Sequence, residues 1–267
     1  MNCYRHPERE AYVRCQRCEK FICPECQVES SVGFLCPDDA GGTVTQINRQ
    51  RVRAASLSKP RLAMALIVLN IAIWLLEISP FGDYVIAYFA YKPAFTAIAP
   101  WQMLTSAFLH DSSSPLHLLF NMYTLYIFAQ VLEPMLGRAR FLALYIIAAF
   151  GGSVAVLVFG DPASTVVGAS GAIYGLMGAY FILLRAIGQR SGQLMGLIAI
   201  NLIFSFLNPG ISWQAHIGGL VVGGIVAAIF AATRQEKQKA MQNAGLVVLV
   251  AVLVALSVYQ AGVYGLL

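Results

Sequence analysis

A serine, two histidines and an asparagine stand close to the starts of long apolar segments in this chain. They are Ser170, His216, His117 and Asn121. Polar groups inside such segments are costly, so they are candidates for a functional site. A serine is a weak nucleophile until a neighbouring base removes its proton, and an imidazole titrates near neutral pH. The pattern therefore predicts a hydrolytic site in which Ser170 attacks and His216 is the general base.

Attack on a carbonyl creates an oxyanion that needs fixed hydrogen-bond donors. Ser170 is predicted near a helix N-terminus, where backbone N–H groups lack partners within the helix. His117 and Asn121 are four residues apart on one helix face, so they add side-chain donors. Tyr174, one turn after Ser170, is expected to pack against His216 and orient it. No acidic residue is placed to do this, so the sequence predicts a dyad rather than a three-residue arrangement.

The first 40 residues carry a second set of residues, with the chemistry of metal ligands. Four pairs of ligands each enclose two residues, a spacing that lets both members reach one metal ion. The pairs are Cys3 and His6, Cys15 and Cys18, Cys23 and Cys26, and Cys36 and Asp39. Together they can hold two structural Zn²⁺ ions, but Asp38 competes with Asp39, and a single complete site is the alternative. Metal would supply the folding free energy that so short a segment lacks.

The composition is that of an integral membrane protein. Of 267 residues, 58% are hydrophobic and 12% are charged, whereas soluble domains carry about 25% charged residues. All six cysteines lie within the first 36 residues, so they belong to one module. A cytoplasmic, reducing location favours metal binding over disulfides there. The first 60 residues contain no apolar segment typical of a signal peptide.

The fold class predicted for the chain is an all-α membrane protein with a small zinc-bound N-terminal module. The predicted parts are a zinc module over 1–40, a linker over 41–60, a six-helix core over 61–232 and an additional C-terminal helix over 245–264. About 20 apolar residues are needed for a helix to cross a bilayer. Seven spans are predicted, near 62–79, 116–135, 141–160, 168–187, 193–208, 214–232 and 245–264.

Basic residues predict the orientation of these spans. Of the 13 Lys and Arg after residue 48, all except Lys92 fall on one side of the membrane. The positive-inside rule then places the N-terminus in the cytoplasm and the C-terminus outside. The four polar residues named first consequently share one depth, toward the outer surface. The basic rim also explains the net charge of +5 without nucleic acid.

Glycines in two of the spans predict close packing of helices. Gly171 and Gly175 are four residues apart, as are Gly219 and Gly223. Such pairs form faces on which two helices approach each other closely in lipid. This packing would bring Ser170 within hydrogen-bonding reach of the histidine in the sixth span.

The region from about 60 to 232 resembles the rhomboid family of intramembrane serine proteases. The matching pieces are Gly168-Ala169-Ser170-Gly171 with Tyr174, Ala215-His216-Ile217-Gly218-Gly219, His117 with Asn121, and Glu133 with Gly137, Arg138 and Phe141. The resemblance implies Ser170 as nucleophile and His216 as base. It assigns the oxyanion hole to the Ser170 N–H, His117 and Asn121, with Tyr174, Gly168 and Gly171 in support. It also implies cleavage of transmembrane segments of other proteins in the bilayer, here in the plasma membrane, without ATP or a catalytic metal.

The same resemblance assigns roles to the connections. The loop over 80–115 matches the family's membrane-lying loop, and the seventh span fits its six-plus-one layout. Trp101-Gln102 stands where many members have Trp-Arg, so the role of that arginine is unfilled or unnecessary here. The fifth span and the loop over 208–213 would be a gate and a cap over the site. Three other polar residues are expected to be structural: Glu77, His110 and Glu133.

The cysteine-rich head resembles a B-box-type zinc finger, in which alternate ligand pairs share a metal ion. The resemblance implies two ligand groups: Cys3, His6, Cys23 and Cys26, and Cys15, Cys18, Cys36 and Asp39. Such a module is structural and would bind a cytosolic protein partner.

Two other functions are alternatives to proteolysis. A catalytically silent rhomboid-like protein would bind or escort membrane clients, but binding requires neither Ser170 nor His216. A transporter would line a path with such groups, but acidic or basic residues are missing from the middle of the spans. An intramembrane serine protease is therefore the preferred hypothesis.

Overall fold

The computed structural model describes residues 1–30, 33–40 and 60–265. The chain divides into two compact units. The predicted linker over 41–60 lies outside the described residues, apart from Pro60.

The N-terminal unit is built from short strands and turns. Strand β1 (Val13–Arg14) pairs antiparallel with β2 (Phe21–Ile22). Strand β3 (Val28–Ser30) pairs antiparallel with β4 (Gly33–Leu35). The buried apolar residues of this unit are Cys3, Ala11, Cys15, Ile22, Cys23, Cys26 and Cys36. An interior made mostly of thiols is too small a core to stabilise a segment of about 40 residues without a metal or cross-links.

The second unit is helical. Its α-helices within 60–265 are α1 (Arg61–Glu77), α2 (Gly82–Phe89), α3 (Gln102–Thr105), α4 (Pro115–Leu136), α5 (Arg138–Phe159), α6 (Ser170–Ala186), α7 (Gly192–Leu207), α8 (Trp213–Ala232) and α9 (Lys239–Val263). Each predicted span coincides with one of the seven longer helices, and the largest shift is at α9, which begins six residues before 245. The predicted loop over 80–115 contains the short helices α2 and α3.

Several of these helices have the length and composition of membrane spans. Within the described residues, α4, α5, α8 and the segment Glu236–Val263 are long and apolar enough to cross a bilayer. Helices α6 and α7 are apolar but shorter, with 17 and 16 residues. The protein is therefore a multi-pass membrane protein, and the count of seven spans remains a prediction.

Local sequence features set the helix starts that carry the site. Helix α4 begins with Pro115, whose missing N–H would be unpaired at that position in any case. The hydroxyl of Ser212 accepts a hydrogen bond from the N–H of Ala215 at 3.3 Å, which caps the start of α8. Helix α7 ends at Leu207, immediately before Asn208-Pro209-Gly210.

Helices α6 and α8 pack closely through glycine. A β-carbon added to Gly219 would lie 1.9 Å from the carbonyl oxygen of Gly171, and one added to Gly223 would lie 2.2 Å from that of Gly175. Only glycine allows backbones to approach this closely. The structure therefore confirms the packing predicted from the two glycine pairs, and it brings the start of α6 against the start of α8.

The buried carboxylates of Glu133 and Glu77 accept hydrogen bonds from backbone N–H groups, in agreement with the structural role expected for both residues. Glu133 of α4 accepts hydrogen bonds from the N–H groups of Leu62 and Ala63 at 3.0 and 2.9 Å, where α1 has no partners of its own. Glu77 accepts the N–H of His110 at 3.1 Å on both of its oxygens. These bonds fix α1 to α4 and to the loop before it.

Candidate active site

Ser170 and His216 meet where α6 and α8 begin. Ser170 is the first residue of α6, and His216 lies in the first turn of α8. The Oγ of Ser170 and the Nε2 of His216 are 2.8 Å apart, a hydrogen-bonding distance. The imidazole is buried and the serine is half-buried. This is the geometry of a nucleophile beside its general base.

The imidazole of His216 has two further contacts, one on the face of its ring and one at Nδ1. Tyr174 stacks on it, with ring centroids 4.1 Å apart and an interplanar angle of 14°. The Nδ1 of His216 lies 2.7 Å from the Oγ of Ser205, on α7. The sequence pattern does not single out Ser205. The available signal is its spacing from Asn201, because the two polar residues are four apart in an otherwise apolar segment.

His117 presents a hydrogen-bond donor toward the same place. Its Nδ1 accepts the backbone N–H of Asp111 at 3.2 Å. A neutral imidazole has one donor and one acceptor nitrogen, so this bond assigns the hydrogen to Nε2. The Asp111 contact is a second feature that the sequence pattern does not reveal.

Gly168 leaves open space between His117 and Ser170. Its φ of +128° is a conformation that residues with a side chain rarely adopt. A β-carbon at this position would lie 3.0 Å from the Nε2 of His117 and 3.6 Å from the Oγ of Ser170. An oxygen in the same space would therefore face both the nucleophile and the donor.

The two remaining predicted residues, Asn121 and Gly171, have different surroundings. Asn121 is buried, and its Nδ2 donates to the carbonyl oxygen of His117 at 2.8 Å, so one of its two N–H bonds is used within α4. Gly171 packs against the start of α8, where an added β-carbon would be 3.4 Å from the carbonyl oxygen of Ala215.

Gln102 has a clear structural role in the loop before α4. It is buried, and its amide nitrogen donates to the carbonyl oxygens of Ala87 and Tyr88 at 3.3 and 3.4 Å. Its Oε1 accepts the N–H of Lys92 at 3.4 Å. Gln102 thus ties α2 to α3 with a neutral side chain.

The N-terminal unit brings together two groups of four ligand side chains. The ligand atoms of each group lie within 4.8 Å of one another; the groups are Cys3, His6, Cys23 and Cys26, and Cys15, Cys18, Cys36 and Asp39. In the first, the Nδ1 of His6 is 3.3 to 3.8 Å from the three sulfurs. In the second, the sulfurs of Cys15 and Cys36 are each 3.2 Å from Asp39.

These separations fit tetrahedral zinc. Zn–S bonds of about 2.3 Å put neighbouring ligand atoms about 3.7 Å apart, close to the 3.6 Å between the sulfurs of Cys18 and Cys36. Asp38 instead accepts a hydrogen bond from the hydroxyl of Tyr4 at 2.7 Å. Burial and this carboxylate raise the pKa of Tyr4. Of the two competing aspartates, Asp39 is therefore the one that lies among the thiols of the second group.

Comparison with known proteins gives the family. Residues 98–233 match the family described as "Rhomboid domain". YdcA of Bacillus subtilis (strain 168), a protein classed with the rhomboid proteases, is 37% identical over 144 residues, which cover 52% of this chain and 70% of YdcA. The rhomboid protease GluP of the same organism is 38% identical over 136 residues, 48% of this chain and 25% of GluP.

A third relative extends the comparison. The rhomboid protease GlpG of Yersinia pestis (strain Pestoides F) is 30% identical over 176 residues, which cover 62% of this chain and 61% of GlpG. The chain thus spans less than two thirds of GluP and GlpG. The family match leaves out the cysteine-rich head, so its resemblance to a B-box remains a prediction. The family match over half of the chain and these relatives establish that the chain belongs to the rhomboid family.

Proposed function

We propose that this protein is a serine endopeptidase that cleaves within the membrane, with Ser170 as nucleophile and His216 as general base. The observation that carries the proposal is the hydrogen bond of 2.8 Å between the Oγ of Ser170 and the Nε2 of His216. Such a bond, partly buried at the junction of two apolar helices, prepares the serine for attack.

The site has the parts that peptide hydrolysis requires. The Ser170 oxygen attacks the peptide carbonyl carbon while its proton passes to Nε2 of His216. The oxyanion that forms would occupy the space left by Gly168, where it faces the Nε2–H of His117 and the free N–H groups at the start of α6. His216 then gives the proton to the leaving amine, and water hydrolyses the acyl-enzyme by the reverse sequence.

The substrates we propose are transmembrane segments of other membrane proteins. The site lies at the starts of apolar helices, so a substrate reaches it from within the lipid bilayer. Following the loop charges, we place the N-terminus in the cytoplasm and the C-terminus outside, in the plasma membrane. The cut site then lies toward the outer surface.

Cleavage by the purified full chain in liposomes tests the proposal. We expect cleavage of a single-span test substrate, and covalent labelling of Ser170 by a fluorophosphonate, mapped by mass spectrometry. The alternative, a silent client-binding protein, predicts that the substrate binds without cleavage and that Ser170 is not labelled. That result with folded protein would reject the protease.

Two substitutions test the space that Gly168 leaves for the oxyanion. Replacing His117 by alanine removes one donor, and we expect kcat to fall by about 10²- to 10³-fold. Replacing Gly168 by alanine fills the same space and strains the backbone, so a comparable or larger loss is expected. Steady-state kinetics in liposomes measure both effects. Unchanged kcat in both variants would show that the oxyanion does not occupy the space between His117 and Ser170.

We also propose that the N-terminal unit binds two structural Zn²⁺ ions, one in each ligand group. The donor sets, three thiols with one imidazole and three thiols with one carboxylate, suit zinc. The ions would stabilise a unit whose interior is largely thiol. Binding of a cytosolic protein by this head remains a prediction.

The two neighbouring aspartates provide a matched test of the zinc sites. We expect the full chain to contain two zinc ions by mass spectrometry, and Asp39→Asn to lose one of them. Asp38→Asn should keep both, because the carboxylate of Asp38 accepts a hydrogen bond from Tyr4 and belongs to neither ligand group. Equal zinc content in the two variants would contradict the assignment of Asp39.

A further inference from the structure

Ser205 connects helix α7 to the imidazole of His216. Its Oγ lies 2.7 Å from the Nδ1 of His216 and 2.8 Å from the carbonyl oxygen of Asn201, one turn earlier in α7. The hydroxyl of Tyr174 is 3.4 Å from the same oxygen. Ser205 and His216 are both buried, at 2% and 6% exposure.

Hydrogen-bond counting gives a direction to these contacts. A serine hydroxyl has one hydrogen and two acceptor positions. The hydrogen goes to the Asn201 carbonyl, which has no hydrogen to offer, so the oxygen accepts the Nδ1–H of His216. The Nε2 of His216 is then unprotonated and faces the hydroxyl of Ser170. Ser205 therefore selects the tautomer that a general base needs.

Helix α7 has few other attachments. Among its described side chains, only Ile198 and Ser205 are buried, and Leu194 and Leu202 are partly buried against the core. Most of its apolar side chains are exposed, for example Ile200, Ile203 and Phe204. A helix held this lightly moves more easily than its neighbours. If α7 moves away, the Nδ1–H of His216 loses its acceptor in a buried place.

We propose that Ser205 is a positioning residue for the catalytic base, so that His216 has the correct tautomer and orientation only while α7 is packed against α6 and α8. The inference rests on the proposed function, since it assumes that His216 takes the proton of Ser170. During attack the Ser170 O–H bond breaks and its proton joins Nε2, while the new Oγ–C bond forms and the π pair of the substrate carbonyl moves onto its oxygen. The imidazole ring of His216 is then positively charged, so the hydrogen bond from its Nδ1–H to Ser205 becomes stronger.

Kinetics of two substitutions at this position test the proposal. A buried donor is costly to leave without a partner, so Ser205→Ala should lower kcat by about ten- to a hundredfold, equivalent to about 1.4–2.7 kcal/mol, with KM unchanged. Ser205→Thr keeps the hydroxyl and should retain most of the activity. A rise in KM with kcat unchanged would indicate a role in substrate entry and would overturn the proposal.

Ser257 of α9 provides the matched control. It is also buried, and its hydroxyl donates to the carbonyl oxygen one turn earlier, Leu253, at 2.9 Å. Ser257→Ala therefore removes the same kind of helix bond away from the site and should leave kcat unchanged. Equal losses in Ser205→Ala and Ser257→Ala would mean a general structural effect and would contradict positioning.

The tautomer itself can be measured without substrate. In ¹⁵N-labelled protein, which has four histidines, the nitrogen shifts of His216 should show hydrogen on Nδ1, and Ser205→Ala should give a mixture of tautomers. The His216→Asn spectrum assigns the signal. An unchanged tautomer in Ser205→Ala rejects the inference. Absence of cleavage in the unsubstituted protein, with the predicted tautomer present, rejects the protease function instead.

Discussion

Replacing Ser170 by alanine is expected to reduce the rate of substrate cleavage by about 10⁴- to 10⁶-fold, because it removes the atom that forms the acyl-enzyme. The fold should survive, since the hydroxyl lies at the start of α6 and its loss leaves the packing of glycines between α6 and α8 in place. Cleavage in liposomes measures the rate, and thermal unfolding checks the fold.

His216→Ala should cost about as much, and the double variant little more, because nucleophile and base act as a unit. The bond of 2.8 Å between them is the structural basis for this non-additivity. Ser257→Ala, which alters a buried serine on α9, is the control expected to keep full activity. Independent, multiplying losses for the two single variants would show that the residues do not act together.

A second large effect is expected from Gly219→Ala. The added β-carbon would be 1.9 Å from the carbonyl oxygen of Gly171, and a backbone atom in a packed helix cannot move away cheaply. We expect destabilisation beyond about 4 kcal/mol, together with loss of activity as Ser170 and His216 separate. Unfolding temperature and fluorophosphonate labelling of the purified variant measure the two consequences.

Gly224→Ala supplies the control on the same helix. There the β-carbon would be 3.6 Å from a side-chain carbon of Ile182, an ordinary van der Waals distance. We expect this variant to unfold and react like the unsubstituted protein. If Gly219→Ala were equally stable and active, the close approach of α6 and α8 would not be needed for the site.

Much of the site was predictable because its residues are polar and lie in segments that are otherwise apolar. Polar groups in apolar segments are conspicuous, and loop charges assign them a common depth. Ser170, His216 and His117 were identified in this way, and Tyr174 followed from its position one turn after Ser170. The glycine pairs likewise predicted which helices touch, since four-residue spacing defines a face.

The contacts of Ser205, Asp111 and Glu133 were not predictable in the same way. Each joins atoms on different elements: a hydroxyl on α7 to an imidazole on α8, a loop N–H to His117, and a carboxylate of α4 to the start of α1. Helices in lipid are apolar on most sides, so periodicity does not reveal which face meets which neighbour.

The sequence alone therefore determined the membrane class, the paired Cys, His and Asp residues of the N-terminal unit, and the serine and histidine of the site, because residue type and spacing carry that information directly. The tertiary structure decided how the imidazole of His216 is held. The sequence offers no acidic partner for His216 and predicts only the stacked ring of Tyr174 to orient it. In the structure, the packing of α7 against α8 adds the hydroxyl of Ser205 at its Nδ1. The physical reason is that a hydrogen bond requires two atoms within about 3 Å, and the relative placement of two helices sets that distance.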